Sequence, residues 1–142
     1  MIINILSILL FLVFIILGSI HFYWAFGGNW GIKSAIPTKN EKEDSGFRPS
    51  IFVTLLVGLV LVSIACFYFI QTNFIVIELP NWTSLVLWAL PSLFLLRAIG
   101  EFKYVGFFKS IKSTQFAKWD TKLFSPLCLI ISIIGFLIIF LN

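Results

Sequence analysis

The first 32 residues contain no Lys, Arg, Asp or Glu, and an apolar run fills them as far as about Phe26. In water such a run has nowhere to bury itself along a single helix. In a bilayer it is long enough, at ~1.5 Å per helical residue, to cross a hydrocarbon core of ~30 Å. Hydrocarbon offers no partner for a backbone N–H or carbonyl, so a crossing segment of this kind has to be helical. Three further apolar runs follow, at residues 50–70, 82–99 and 123–141. The chain is therefore predicted to be all-α, a single domain (1–142) forming an integral membrane bundle of four transmembrane helices spanning about 2–26, 50–70, 82–99 and 123–141. Composition agrees. Only 11% of residues are charged and the mean hydropathy is +1.07, whereas soluble domains carry about 25% charged residues. A cleaved secretory signal is not expected, because the first run lacks a basic leader, a short apolar core and a small-residue cleavage site.

The connections have their own character. Gly27-Gly28-Asn29-Trp30-Gly31 reads as the end of the first helix, with an anion-binding nest as the costlier alternative. Residues 33–48 form the one ordinary hydrophilic stretch, punctuated by Pro37, Gly46 and Pro49, and are expected to be a solvated, mobile loop. In the second run Thr54 and Gly58 form a small-xxx-small pair suited to close helix approach, and in the fourth Cys128 and Ser132 offer the same. Pro91, inside the third run, is expected to kink it. Residues 102–122 combine Lys with aromatics. Placing Tyr104, Phe107, Phe108 and Ile111 on one helical face, with Lys103, Lys109, Lys112 and Ser113 around the rest, predicts a cytoplasmic amphipathic segment in the headgroup plane between helices 3 and 4. The fourth helix is expected to start near Leu123, or at Ser125 as cap with Pro126 in its first turn. Trp24, Trp30, Trp82 and Trp119 suit interfacial anchoring.

Charge sets the orientation. Lys33, Lys39, Lys42 and Arg48 lie in the first loop, and Arg97, Lys103, Lys109, Lys112, Lys118 and Lys122 in or beside the third; these are all ten basic residues. The positive-inside rule places loops 27–49 and 100–122 in the cytoplasm and both termini outside a multi-pass cell membrane protein. Because the net charge of +4 resides in these loops, membrane lipids rather than nucleic acid are the expected anionic partner. Cys66 and Cys128 each sit alone in an apolar run, which excludes a CxxC motif and a disulfide framework.

Two boundaries concentrate the possible chemistry. His21 and Arg97 each follow a similar helical descent from the outer side and so lie at like depth. Trp24 follows His21 by three residues, Glu101 and Tyr104 follow Arg97 by four and seven, and Asp120 enters from the loop ahead of the fourth helix. A cytoplasmic-side cluster of His21, Trp24, Arg97, Glu101, Tyr104 and Asp120 is the candidate ligand-binding set. Intramembrane ionisable groups commonly mark binding or proton-handling sites, and an arginine grips phosphate or carboxylate. The structural alternative stands beside it: Arg97 pairs with Glu101 or Asp120 and ties helices together. Arg ahead of Glu at i,i+4 is the poorer order for an intrahelical pair, which favours a partner on another helix. With one His and no Cys near it, a zinc site lacks its ligand set and a bis-His haem is excluded, so no metal and no cofactor are expected.

The segments His21-Phe22-Tyr23-Trp24-Ala25-Phe26-Gly27-Gly28-Asn29-Trp30-Gly31, Leu96-Arg97-Ala98-Ile99-Gly100-Glu101-Phe102-Lys103-Tyr104-Val105-Gly106-Phe107-Phe108 and Thr114-Gln115-Phe116-Ala117-Lys118-Trp119-Asp120-Thr121, with Ser125-Pro126-Leu127-Cys128 after them, resemble a bacterial family catalogued as domain of unknown function 3995. The resemblance covers essentially the whole chain and implies a small four-helix membrane protein. It implies no activity and no catalytic residue. The functional expectation is binding of an anionic small molecule or lipid headgroup at the cytoplasmic cluster. The alternatives are a membrane-embedded enzyme acting on a lipid-like substrate, with His21 or Glu101 as acid/base, and a small transporter or non-catalytic accessory protein.

Overall fold

The structure, a computed structural model, describes residues 1–37, 49–72, 74 and 78–141. Among these residues there are five helices and no strand: α1 (Ile2–Ala25), α2 (Ile32–Ala35), α3 (Ile51–Ile70), α4 (Thr83–Ile99) and α5, continuous over Gln115–Leu141. Three of them are long and apolar enough to cross a membrane: α1 with 24 residues, α3 with 20 and α5 with 27. The apolar α4 is shorter, at 17 residues, or about 25 Å of rise. Helices α1, α3 and α4 start and end within a residue of the apolar runs at 2–26, 50–70 and 82–99.

The helices pair as α1 with α3 and α4 with α5, and α1 also packs against α5. The core is built from Leu10 and Phe14 of α1, Ala65 and Tyr68 of α3, and Ile131 and Ile138 of α5, with Leu90 and Phe94 of α4 packed against it. Phe14 stacks on Tyr68 with ring centroids 5.9 Å apart, and Phe94 meets Phe14 edge-on at 5.3 Å. Between α1 and α3, Gly18 faces Val62 and the Gly58 carbonyl, while the Phe22 ring lies over Gly58. Thr54 and Gly58 are both buried, so the small pair in the second run serves close packing. The opposite faces are apolar and exposed, as at Leu9, Leu12, Ile16, Leu56, Leu59, Leu93 and Leu137. Burial from water cannot drive helix association in lipid, so this interlocking of small and aromatic side chains is what holds the bundle.

Two expectations require correction. The stretch between α4 and α5 is not an amphipathic helix: residues 100–114 contain no helix. Gly100, Phe102 and Gly106 all have positive φ (88°, 67° and 91°), a region that breaks a right-handed helix. The segment folds back on itself instead. The Phe107 N–H donates to the Ala98 carbonyl at 2.9 Å, and Ser110 and Ile111 donate to the carbonyls of Phe102 and Lys103 at 3.0 Å each. Nor does the last helix begin at Leu123 or Ser125. Thr114 caps it, accepting from the Ala117 N–H at 3.1 Å. The helix then runs through a π-helical stretch at Asp120–Phe124, in which the Ser125 N–H reaches the Asp120 carbonyl. The wide turn precedes Pro126, which has no N–H for the Lys122 carbonyl. The expected mobile loop at 33–48 falls mostly on residues 38–48, outside the described residues; its described start includes α2.

Candidate functional site

Asp120 is the centre of the polar structure at the α4–α5 end. It is fully buried, at the start of the π turn that swings its side chain beneath the 100–114 loop. Its Oδ1 accepts from Arg97 Nη2 at 3.0 Å. Its Oδ2 accepts from Lys109 Nζ at 2.9 Å, from the Gly106 N–H at 2.9 Å and from the Ser125 hydroxyl at 3.1 Å. Two cations and two neutral donors thus converge on one carboxylate, which offsets the cost of removing it from water.

The Lys109 ammonium is as deeply buried as its partner, with 1% of its side chain exposed. It donates to Asp120, to the Gly106 carbonyl at 3.1 Å and to Thr121 Oγ1 at 2.6 Å. A lysine has three N–H donors, and these three bonds use them all. Arg97 is in a different position. Its side chain remains 33% exposed, its Nη2 is committed to Asp120, and its Nη1 is buried with no hydrogen-bond partner. The cluster therefore carries two positive charges against one negative, with its unmet donor capacity on Arg97.

Gly100 and Gly106 make this geometry possible. Each lies against the backbone at the other, so a Cβ at Gly100 would collide with the Val105 carbonyl and one at Gly106 with the Ile99 carbonyl. With φ near +90° at both, no L side chain is accommodated at either position. Their contact closes the loop and aims the Gly106 N–H at Asp120.

The remaining candidates are placed as follows. Glu101 is exposed, and its Oε1 accepts from the Tyr104 N–H at 3.2 Å; Tyr104 lies under the Lys103 ammonium, 5.3 Å from ring centroid to nitrogen. Arg97 therefore takes its carboxylate partner from α5 and not from Glu101, in keeping with the poor intrahelical order of that pair. His21 Nδ1 hydrogen-bonds the Leu17 carbonyl at 2.8 Å, and its ring meets Trp24 edge-on at 5.2 Å. Trp24 Nε1 in turn donates to the Trp30 carbonyl at 2.8 Å. These bonds lie within α1 and the turn after it. The turn itself is a helix end: Phe26, Gly27 and Gly28 donate to the carbonyls of Phe22, Trp24 and Tyr23, which leaves those N–H groups no anion to bind. Of the six candidates, the structure joins Arg97 to Asp120, Glu101 to Tyr104 and His21 to Trp24.

Sequence reasoning missed Lys109, Gly106, Ser125 and Thr121 as members of the Asp120 cluster. A helical reading of 102–122 turned Lys109 towards the headgroups. The signal that contradicts it is the Gly100–Gly106 pair, two helix-breaking residues inside the supposed helix. Among the described residues no group of three or more His, Cys, Asp or Glu is arranged to hold a metal. An open apolar groove on α1 is lined by Ile15, Ile16, Ser19, Ile20, Tyr23 and Trp30, none of them a candidate residue.

No curated protein and no solved structure matches the chain. A family model does match, over residues 14–135, which takes in every element of the Asp120 cluster and all six candidate residues. The chain belongs to the family described as Protein of unknown function (DUF3995).

Proposed function

We propose that this is a four-span membrane protein whose α4–α5 end binds an anion bearing a phosphate or carboxylate, with Arg97 as the binding group. The single observation that carries the reading is the divided guanidinium: Nη2 on Asp120, Nη1 without a partner. A buried donor with no partner in the protein is an unmet demand that a ligand anion satisfies. The net positive charge of the cluster adds to it, as do Lys103, Lys112, Lys118 and Lys122, all exposed around it. An anion reaches Arg97 through the exposed third of the side chain, the guanidinium pivoting on its bond to Asp120.

Membrane placement supports the same ligand class. Counting α4 as the fourth span rests on its pairing along α5, and the location of all ten basic residues in or beside the two connections 27–49 and 100–122 supports a cytoplasmic placement of those connections. Arg97 then stands at headgroup depth on the leaflet richer in anionic lipid. Exposed Phe102, Phe108 and Trp119 beside the lysines suit that depth. Acid/base chemistry by His21 and Glu101 has no comparable support, since each side chain is engaged within its own segment.

The test is native mass spectrometry of purified protein exposed to phosphatidylglycerol, to phosphatidylcholine, or to inorganic phosphate. Wild type is expected to retain phosphatidylglycerol over phosphatidylcholine, and Arg97→Gln to lose the preference while keeping its thermal transition. Displacement by inorganic phosphate assigns recognition to the phosphate alone; resistance to it assigns it to the whole lipid. Equal retention of both lipids by wild type, or an unchanged preference in Arg97→Gln, overturns the reading.

A further inference from the structure

The turn after α1 does more than end a helix. It brings Trp30 back to the outward face of α1, where the indole lines a groove with Ile15, Ile16, Ile20 and Tyr23. The Trp30 carbonyl accepts from Trp24 Nε1 at 2.8 Å, and its N–H donates to the Tyr23 hydroxyl at 3.5 Å. The Tyr23 ring in turn lies against Gly28, where any Cβ would strike it. The backbone of Trp30 is thus tied to α1 twice, while its side chain stays 74% exposed. An indole held in place yet uncovered, beside an apolar groove of about 410 Å³, marks a contact surface and not a piece of core.

What fills the groove follows from its length and from the order of groups along it. From Ile15 to Tyr23 the helix rises ~12 Å, most of one leaflet of a ~30 Å hydrocarbon core and well short of the whole. A crossing helix from a partner has more than twice that length to cover, whereas a lipid chain occupies one leaflet. The lining is aliphatic at Ile15, Ile16 and Ile20. Tyr23 and Trp30 then bring a hydroxyl and an indole N–H, and Lys33 stands exposed three residues farther on. Apolar chain, ester and phosphate follow in the same order along a phospholipid of the cytoplasmic leaflet, whose anionic surface complements the lysine. Ser19, the other polar residue in the lining, donates to the Ile15 carbonyl at 2.8 Å and so makes no demand on the occupant.

We propose that this groove binds one acyl chain of an anionic phospholipid in the cytoplasmic leaflet. Trp30 is the wall that turns an exposed helix face into a groove, and the headgroup lies towards Tyr23, Trp30 and Lys33. The site contains no residue of the Asp120 cluster. It rests on the membrane placement given above and not on anion binding by Arg97.

The test is photolabelling of the whole protein in nanodiscs by phosphatidylglycerol with a diazirine midway along one acyl chain, read by peptide mass spectrometry. Val57 and Val60 of α3 are the internal reference. Both are exposed, and the contacts of Phe22 with Gly58 and of Gly18 with Val62 put them level with Tyr23 and Ile20. Wild type is expected to carry several-fold more label on Ile16, Ile20 and Tyr23 than on the two valines, with a smaller excess when phosphatidylcholine bears the diazirine. Trp30→Ala removes a wall and Ser19→Phe fills the groove. Both change exposed side chains, and each is expected to abolish the excess with the thermal transition kept; should one lose that transition, the other decides. In Arg97→Gln the excess is expected to persist, whatever becomes of anion binding there. Equal labelling of the two faces in wild type means annular lipid only and overturns the proposal. Weaker labelling of the groove means that protein covers it, which overturns the proposal as well. So does an excess unchanged in the folded groove variants, or one lost in Arg97→Gln. An equal excess from phosphatidylcholine overturns the part given to the anionic headgroup.

Discussion

Removing the Asp120 carboxylate strikes the one group on which the α4–α5 connection depends. In Asp120→Ala, Lys109 keeps its bonds to the Gly106 carbonyl and Thr121 but loses its counter-charge with 1% of its side chain exposed. Breaking a buried ion pair from one side costs about 3–5 kcal/mol, because the remaining charge is stranded. Arg97 adds less. At 33% exposed it turns to solvent or headgroups, and half-exposed pairs contribute only ~0–1 kcal/mol. The unpaired Gly106 N–H and Ser125 hydroxyl lie within the same penalty, so a loss of about 4 kcal/mol is expected, or roughly 10 °C in transition temperature for a chain of this size. Tryptophan fluorescence during heating in mild detergent reads this out. The charge argument has its own control: Lys109→Met on top of Asp120→Ala removes the stranded cation and is expected to recover more than half of the loss. A loss under ~1 kcal/mol in the single variant, or a double variant worse than the single, refutes the view that Asp120 and Lys109 form one buried unit.

Gly106→Ala is expected to destabilise by well over the ~1–2 kcal/mol that a left-handed residue alone costs, because its Cβ meets the Ile99 carbonyl. Gly27→Ala, with φ of +95° but open space around it, should cost only that conformational amount; comparing the two by thermal unfolding separates collision from backbone strain. Thr114→Ala, which removes the cap of α5, should cost about 1 kcal/mol in the same assay. Phe14→Ala, at the centre of the aromatic stack, should cost about 3–5 kcal/mol, and a value near zero would mean that α1 is held by something other than this packing.

The apolar helices were legible in the sequence because lipid leaves a crossing segment almost no choice: length and absence of charge decide it, and α1, α3 and α4 end within a residue of where the apolar runs predict. The pairing of Arg97 with a partner beyond its own helix was legible too, from the poor order of Arg97 and Glu101. What local pattern could not give was the loop. Tyr104, Phe107, Phe108 and Ile111 do recur at helical spacing, but Gly100 and Gly106 prefer each other's backbone, and Lys109 is drawn in by a carboxylate eleven residues on. That carboxylate is itself turned inward by a π stretch that no periodicity announces. Asp120 was named from sequence as a cluster member, and its role as the centre became visible only with the fold.

Amide hydrogen exchange across residues 100–111 tests the central claim, that a single buried carboxylate organises this connection and leaves Arg97 half used. In wild type the Gly106 and Phe107 amides, bonded to Asp120 and to the Ala98 carbonyl, are expected to exchange slowly for a connecting segment. In Asp120→Asn they should exchange at the rate of an open loop while α1 and α3 keep their protection. Protection of Gly106 and Phe107 that is the same in both proteins would contradict the claim.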